Sequence, residues 1–446
     1  MENAKKAKFK TTKIEKSWIL YDVANSAYVL MATALIPIFY GIIATNAGMS
    51  DTMQVTVFGT MLSVAALVVG LLNPILGAIA DNKGMRKKMF MFFLAVGVVG
   101  CFLFSIASSV VIVAIVMIMS QIGLNGSIVF SDAMLVDITV ENRMDRVSSR
   151  GYAWGYIGSC IPFILCLAVY ILSSMEFGGR YILPFGEIKS IQIGMVITGF
   201  WWALVTIPLL KSYTQKHGVE PSKNQVKDAF VKLGYTFKNA KNYKVPFMFV
   251  IAFFFYINGV TTIIGMSITY ASSVLGANAI DSIMLVLALL MTQFVAFPSA
   301  IVMGNLANKV SPRKLILISI CGYFCVTLYA IFLSSIVQFF IMAFFVGLFQ
   351  GGIQALSRSY FAKIVPKEKS NEFFGMYDIC SKGAAVLGPA VMAAATVIFN
   401  SPRVGVGILV WFFLIGGVIL FKLPQNISDL PIEEYDRQFG EDTNEA

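Results

Sequence analysis

The chain has 446 residues, with 34 Lys and Arg against 24 Asp and Glu, a formal net charge of +10. Hydrophobic residues make up 57% and charged residues 13%, where a soluble domain carries about 45–50% and about 25%. So few charges cannot cover a water-exposed surface, which excludes a soluble enzyme, a disordered chain and a coiled coil, and leaves a polytopic membrane protein.

Only helices and closed barrels satisfy their backbone in lipid. Barrel strands alternate over about ten residues. Here the apolar runs are unbroken, as in 246–271 and 404–421, and reach the roughly 20 residues a spanning helix needs. An all-α membrane protein is expected. The runs and their breaks predict twelve transmembrane helices over 17–44, 53–80, 88–107, 110–137, 151–174, 191–210, 245–272, 281–304, 315–333, 337–362, 373–399 and 404–421. They group into a basic N-tail (1–16), a first six-helix bundle (17–210), a central loop (211–244), a second six-helix bundle (245–421) and an acidic C-tail (422–446). The first apolar run is too long for a signal h-region and no A-x-A-like site follows it, so the N-terminus is expected to be retained.

Helix 1 places Tyr21, Asp22, Asn25 and Tyr28 within two turns on a shared face. After helix 2 comes Gly77-Ala-Ile-Ala-Asp81-Asn-Lys-Gly84-Met-Arg86-Lys87. Helix 4 carries Asn125, Asp132 and Asp137. No cation neighbours Asp132 on its own helix. Ionisable groups inside a membrane are costly and mark function, so Asp132 is a candidate proton carrier. Asp22 is another, although a helix N-terminus alone favours an acid. In the central loop, Val226, Phe230, Leu233 and Phe237 form one apolar stripe beside Lys227, Lys232, Lys238 and Lys241, the pattern of a helix lying on an anionic leaflet. Helix 7 carries Tyr256, Asn258 and Thr262, and helix 10 carries Gln350, Gln354 and Arg358. Arg358 is expected to anchor at the interface or brace a gate. In helix 11, Asp378 and Lys382 stand at i, i+4 and can neutralise each other.

Charge placement sets the orientation. Of the Lys and Arg residues, Arg180, Lys189, Arg403 and Lys382 alone fall outside the tails, loops and adjoining helix ends of one side. By the positive-inside rule both termini are cytoplasmic. This also accounts for the basic excess without nucleic acid. The six cysteines lack metal-ligand or CxxC spacing, and His217 is the sole histidine. Walker A, HExxH and GxSxG motifs are absent. No metal or cofactor is expected, nor an enzyme; the expected partners are a small solute and the bilayer, and the expected form is a monomer.

The chain also repeats itself. Gly77, Asp81, Arg86 and Lys87 recur as Gly304, Asn308, Arg313 and Lys314 at a common offset of 227 residues. Gly123/Gly347 and Gly151/Gly375 share an offset of 224. Two parallel six-helix halves follow, with a site at the midplane between them.

The G-x-x-x-D-x-x-G-x-R-K loop resembles the signature of the major facilitator superfamily. Trp18-Ile-Leu-Tyr21-Asp22-Val-Ala24-Asn25-Ser26, Gln350-Gly-Gly-Ile-Gln354-Ala-Leu-Ser357-Arg358-Ser359, Glu372-Phe-Phe-Gly375-Met-Tyr377 and Gly388-Pro389 resemble its vacuolar amino-acid effluxer-like branch. The resemblance implies a cavity lined by helices 1, 4, 7 and 10. Tyr21, Asp22, Asn25, Tyr28, Asn125, Asp132, Tyr256, Asn258, Thr262, Gln350 and Gln354 would then bind a small polar or zwitterionic solute. Asp132, Asp22, Asp378 and Lys382 are the proton-coupling candidates. Gly77, Asp81, Gly84, Arg86, Lys87, Asp137, Arg313 and Arg358 would form a cytoplasmic gate, with Asp81 meeting the start of helix 11. Where the branch carries an acid after the helix 7 tyrosine, this chain has Asn258; where it carries Asn in helix 4, this chain has Asp132. The expected function is alternating-access transport of a small polar solute, amino acids first, in a bacterial inner membrane. A drug or amphiphile exporter and a non-transporting receptor or scaffold are the alternatives.

Overall fold

The computed structural model describes residues 9–174, 176–177, 180–220, 225–238, 240–275 and 279–424. Among them, twelve helices are long and apolar enough to cross a membrane. We number them α1 (Lys13–Asn46), α2 (Asp51–Ala80), α3 (Met85–Leu103), α4 (Val110–Ala133), α5 (Glu141–Ser174) and α6 (Gly186–Ser212) in the first half. The second half holds α7 (Lys244–Leu275), α8 (Ala279–Leu306), α9 (Pro312–Ile331), α10 (Ile336–Ile364), α11 (Ser370–Ile398) and α12 (Pro402–Phe421). The central helix, Gln225–Lys238, lies between the halves in sequence.

Helix starts follow local chemistry. Thr12 and Glu15 form a reciprocal capping box at α1, and Ser50, Ser109 and Ser335 each accept from a first-turn N–H of α2, α4 and α10. The largest difference from the sequence pattern is at α5, which begins at Glu141, ten residues before the apolar run. Its polar first turns are helical because their side chains have partners. Arg143 pairs with Glu15 at 2.7 Å, and Asp145 takes Lys363 at 2.5 Å and Ser359 at 2.7 Å.

Each half is a bundle: α1 packs on α5 and α6 and α3 on α4, while α7 packs on α11 and α12 and α8 on α10. The halves meet along two seams, α2 against α11 and α5 against α8 and α10. Gly77 and Gly375 permit the first. A Cβ on Gly77 would sit 2.4 Å from the Asn371 carbonyl oxygen, and one on Gly375 2.7 Å from that of Asn73. Both seams close at the end that carries the basic loops, called here the basic end. In the central helix Ala229 is buried against Ala78, Ile79 and Met376, while Phe230 and Val231 are exposed. The side chains of Val226, Leu233 and Phe237 lie outside the described residues, as does the C-tail beyond Pro424.

Candidate functional site

A cavity of about 360 Å³ lies between the halves. Its lining runs along α1 from Asp22 to Thr33 and along α10 from Arg358 back to Phe339, so it extends from mid-helix away from the basic end. Polar groups gather at the floor. The upper wall is mostly apolar, with Leu30, Ile264, Met342 and Val346 beside Thr33 and Ser267.

The floor is built around Arg358. Its Nη2 lies 2.8 Å from Asp22 Oδ2 and its Nη1 2.9 Å from Asp132 Oδ1. Nη1 also donates to Asp22 Oδ1 at 3.2 Å, Nε to the Ser148 hydroxyl at 2.9 Å and Nη2 to the Ser148 carbonyl at 3.1 Å. Those bonds account for all five N–H donors of a guanidinium. The rings of Trp18 and Tyr152 cover its two faces at 4.4 and 4.3 Å, a cation–π sandwich. Asp132 is therefore not isolated: its cation comes from α10 of the other half. Arg358 is no interfacial anchor; it is buried and joins α10 to α1, α4 and α5. Gly151 makes room for this cluster, since a Cβ there would lie 2.0 Å from Asp22 Oδ2.

Of the residues expected in the cavity, Asp22, Asn25, Asp132, Gln350 and Gln354 line it, and Arg358, expected at a gate or the interface, lines it with them. Six other candidates face elsewhere. Tyr21 packs edge-on against Phe90 at 4.8 Å, and Tyr28 lies 5.8 Å from Trp202, both in the core of the first half. Asn125 is buried outside the cavity lining. The Tyr256 hydroxyl bonds Ser357 at 2.6 Å, the Asn258 amide donates to the Phe254 carbonyl at 2.6 Å, and Thr262 donates back to the Asn258 carbonyl at 2.7 Å. In α7 it is Thr261, Ile264 and Ser267 that face the cavity. Tyr152, Tyr156 and Ser159 also line it, from α5. Their i, i+4, i+7 spacing was readable, but α5 is not among the helices expected to line the site.

The basic end is closed by a buried charge cluster. Asp81 accepts from the backbone N–H of Asn371 (2.9 Å) and Glu372 (3.0 Å) and from Asn371 Nδ2 (2.8 Å), at the start of α11. This is the contact expected of a carboxylate at a helix N-terminus. Burial raises the Asp81 carboxyl to about 7 against the opposite pull of Arg86 and these N–H groups. Arg86 lies 3.5 Å from Asp81 and 2.5 Å from Asp137, and donates to Ser370 Oγ of α11 at 2.9 Å. Gly84 holds the turn at φ 80°, a backbone that glycine adopts without strain. Lys87 reaches a carbonyl, that of Tyr213, at 3.4 Å.

Asp137 binds a segment that sequence reasoning did not place. Tyr213 Oη donates to it at 2.5 Å, and the backbone N–H groups of Lys216 and His217 at 3.2 and 3.0 Å; the His217 ring lies 2.9 Å away. The same segment bridges Val219 to Asn82, with Lys83 N–H donating to Val219 O at 3.0 Å and Val219 N–H to Asp81 O at 2.9 Å. Arg313 donates to the Phe421 carbonyl at 3.0 Å and to that of Leu423, within its own half. Asp378 sits on the α2/α11 seam, outside the cavity lining. It accepts from Asn73 Nδ2 at 2.7 Å and lies 3.6 Å from Lys382. Among the described residues no group of three or more His, Cys, Asp or Glu could hold a metal ion.

A family model described as vacuole effluxer Atg22 like matches residues 10–428. An uncharacterized MFS-type transporter of Bacillus subtilis (strain 168), YxiO, is 40% identical over 420 residues, 94% of this chain and 96% of the relative. Autophagy-related protein 22 of Saccharomyces cerevisiae (strain ATCC 204508 / S288c) is 26% identical over 290 residues, 58% of this chain and 53% of the relative. The chain thus aligns with about half of that fungal relative's length. Among solved structures, the major facilitator FucP in the outward conformation superposes with a TM-score of 0.69 at 11% identity, covering 92% of this chain and 97% of that one. The proton:xylose symporter XylE gives 0.68 at 11%, covering 92% and 95%. At that identity the likeness concerns the fold alone.

Proposed function

Because the chain belongs to the vacuole effluxer Atg22-like family of MFS-type transporters, we propose that it carries a small ammonium-bearing solute, amino acids first, by alternating access. The observation that carries this reading is the charge at the cavity floor. Two carboxylates, Asp22 and Asp132, face one guanidinium whose five donors are all engaged. An anion finds no donor on Arg358, whereas a cation finds a surplus negative charge beside largely buried groups, where charges interact more strongly than in bulk water. The ammonium of an amino acid satisfies that surplus. So does a proton, which makes Asp132 or Asp22 a route to coupling when the solute is absent.

The membrane is the cell membrane, with the basic end in the cytoplasm; the charge asymmetry of the loops supports this. The state described here is then open outward and closed inward. The mostly apolar upper wall supports a second reading, an amphiphilic amine as cargo.

Counterflow in proteoliposomes tests the proposal. Vesicles loaded with an unlabelled amino-acid mixture, at equal pH on both sides, are expected to accumulate labelled amino acids. Asp132→Asn is expected to reduce accumulation at least tenfold, since it removes the surplus charge. Inserted, folded protein that accumulates no amino acid but exchanges lipophilic amines would replace the first reading with the second.

A further inference from the structure

Tyr156 of α5 is 8% exposed, and its hydroxyl donates to Gln354 Oε1 of α10 at 2.7 Å. Both side chains line the cavity. A primary amide offers an acceptor oxygen at one end and two N–H donors at the other, and either end can face a solute unless a neighbour fixes the amide. Here the phenol occupies the oxygen. The Nε2 end has no partner among the described residues, so the cavity wall presents a donor. The floor offers the reverse, the surplus carboxylate described above. A solute with an ammonium at one end and an acceptor at the other is matched by both. A bare amine is matched by the floor alone.

The bond also crosses between the halves, because α5 belongs to the first and α10 to the second. Any motion that parts α5 from α10 takes the phenol away from the amide. The donor is then held in place only while the basic end is shut.

Building on the proposed function, we infer that Tyr156 is a positioning residue for specificity: it turns the Gln354 amide so that the cavity selects a carboxylate-bearing amine over the same amine without its carboxylate. The selection acts through orientation, and Tyr156 itself need not touch the solute.

The test uses the full-length chain in proteoliposomes and matched pairs of solutes: L-leucine with 3-methylbutylamine, and L-tyrosine with tyramine. Half-saturating concentrations are read for the wild type, Tyr156→Phe, Gln354→Leu and the double variant. The wild type should prefer the amino acid. Tyr156→Phe should raise its half-saturating concentration roughly tenfold, the scale of one hydrogen bond to a charged group, and leave that of the amine within about twofold. Gln354→Leu should do the same, and the double variant should be no worse than either single, since one interaction is removed twice.

Equal losses for acid and amine would overturn the inference and assign Tyr156 a structural role. So would a Tyr156→Phe protein that keeps the wild-type preference. If Tyr156→Phe fails to insert, Gln354→Leu decides alone: an undiminished preference there overturns it. A wild type that handles neither member of any pair removes the proposed function as well, which distinguishes that failure from failure of the positioning role.

Discussion

The α2/α11 seam and the α5/α8 seam are built from matching segments of the two halves, yet they are held by different physics. At the first, Asp81 is 2% exposed and receives three hydrogen bonds from Asn371 and Glu372 of the opposite half. At the second, the equivalent Asn308 is exposed, and its amide lies against the Arg146 guanidinium. Arg86 reaches across to Ser370, whereas Arg313 donates to the Phe421 and Leu423 carbonyls of its own half. The repeat thus copies the turn twice but puts a buried carboxylate in it once; the charged pair across the second seam, Asp145 with Lys363, lies outside the repeated turn. The lesson is that a motif's worth depends on burial. The same residue types at a rim contribute little, and removing one partner of a buried pair is severe.

That contrast can be broken at its strongest point first. Arg86→Gln leaves Asp137 and Asp81 buried without their cation, a loss of roughly 3–5 kcal/mol, enough to shift a closed basic end to an open one. A reporter cysteine at Ala355, fully buried on the α5/α10 seam, placed in a background without native cysteines, should become reactive to a water-soluble thiol reagent applied at that end. Arg313→Gln should leave the reporter protected. Gly77→Val comes next. Its Cβ would meet the Asn371 carbonyl at 2.4 Å, and overpacking costs about 1–3 kcal/mol. The reporter should open partly, with solute affinity from the outer side unchanged.

The pH response of Asp81 is smaller. Its carboxyl in the closed state is raised to about 7, against about 4 for an exposed aspartate. The closed state therefore binds a proton that the open state releases. Its proton-linked stabilisation is fully present below about 4 and is lost as pH rises through about 7. Reporter reactivity should rise roughly tenfold between pH 6 and 8 after correction for thiol ionisation. Asp81→Asn should abolish that slope and slow transport, with binding from the outer side retained. Last, Asn308→Asp offers Arg146 a full charge at an exposed site, worth about 0.2–1 kcal/mol. It should protect the reporter slightly and slow counterflow no more than a few-fold. A large effect there would mean that the second seam is not the weaker one.

The spanning helices and the repeat were legible in the sequence because each rests on a long run or a fixed spacing, while the Asp81 contact with α11 was an expectation carried by the family resemblance. The cavity was only partly legible. Asp22, Asn25, Gln350 and Gln354 are among the lining residues that α1 and α10 supply, while Tyr21 and Tyr28 of the same stretch of α1 turn into the bundle core. A spanning helix is apolar on nearly every side, so periodicity does not fix its rotation about its own axis. In α7 the polar residues at 256, 258 and 262 bond within the bundle, and Thr261 faces the cavity instead. Arg358 illustrates the other limit: its partners Asp22 and Asp132 lie 336 and 226 residues away in sequence, and only packing brings them together.

The segment after α6 has a mechanical consequence. Tyr213, His217 and Val219 are stitched to Asp137, Asp81 and Lys83 of the first half. The connection between the bundles is therefore not a slack leash that starts where α6 ends. It travels with the first bundle as far as Val219, and any pivot must lie beyond that point. From there to the central helix the chain has about six residues, a reach of about 20 Å at most. The central helix then rests on Ala78 and Ile79 of the first bundle as well as on Met376 of the second, so lengthening the loop upstream of Val219 adds no freedom.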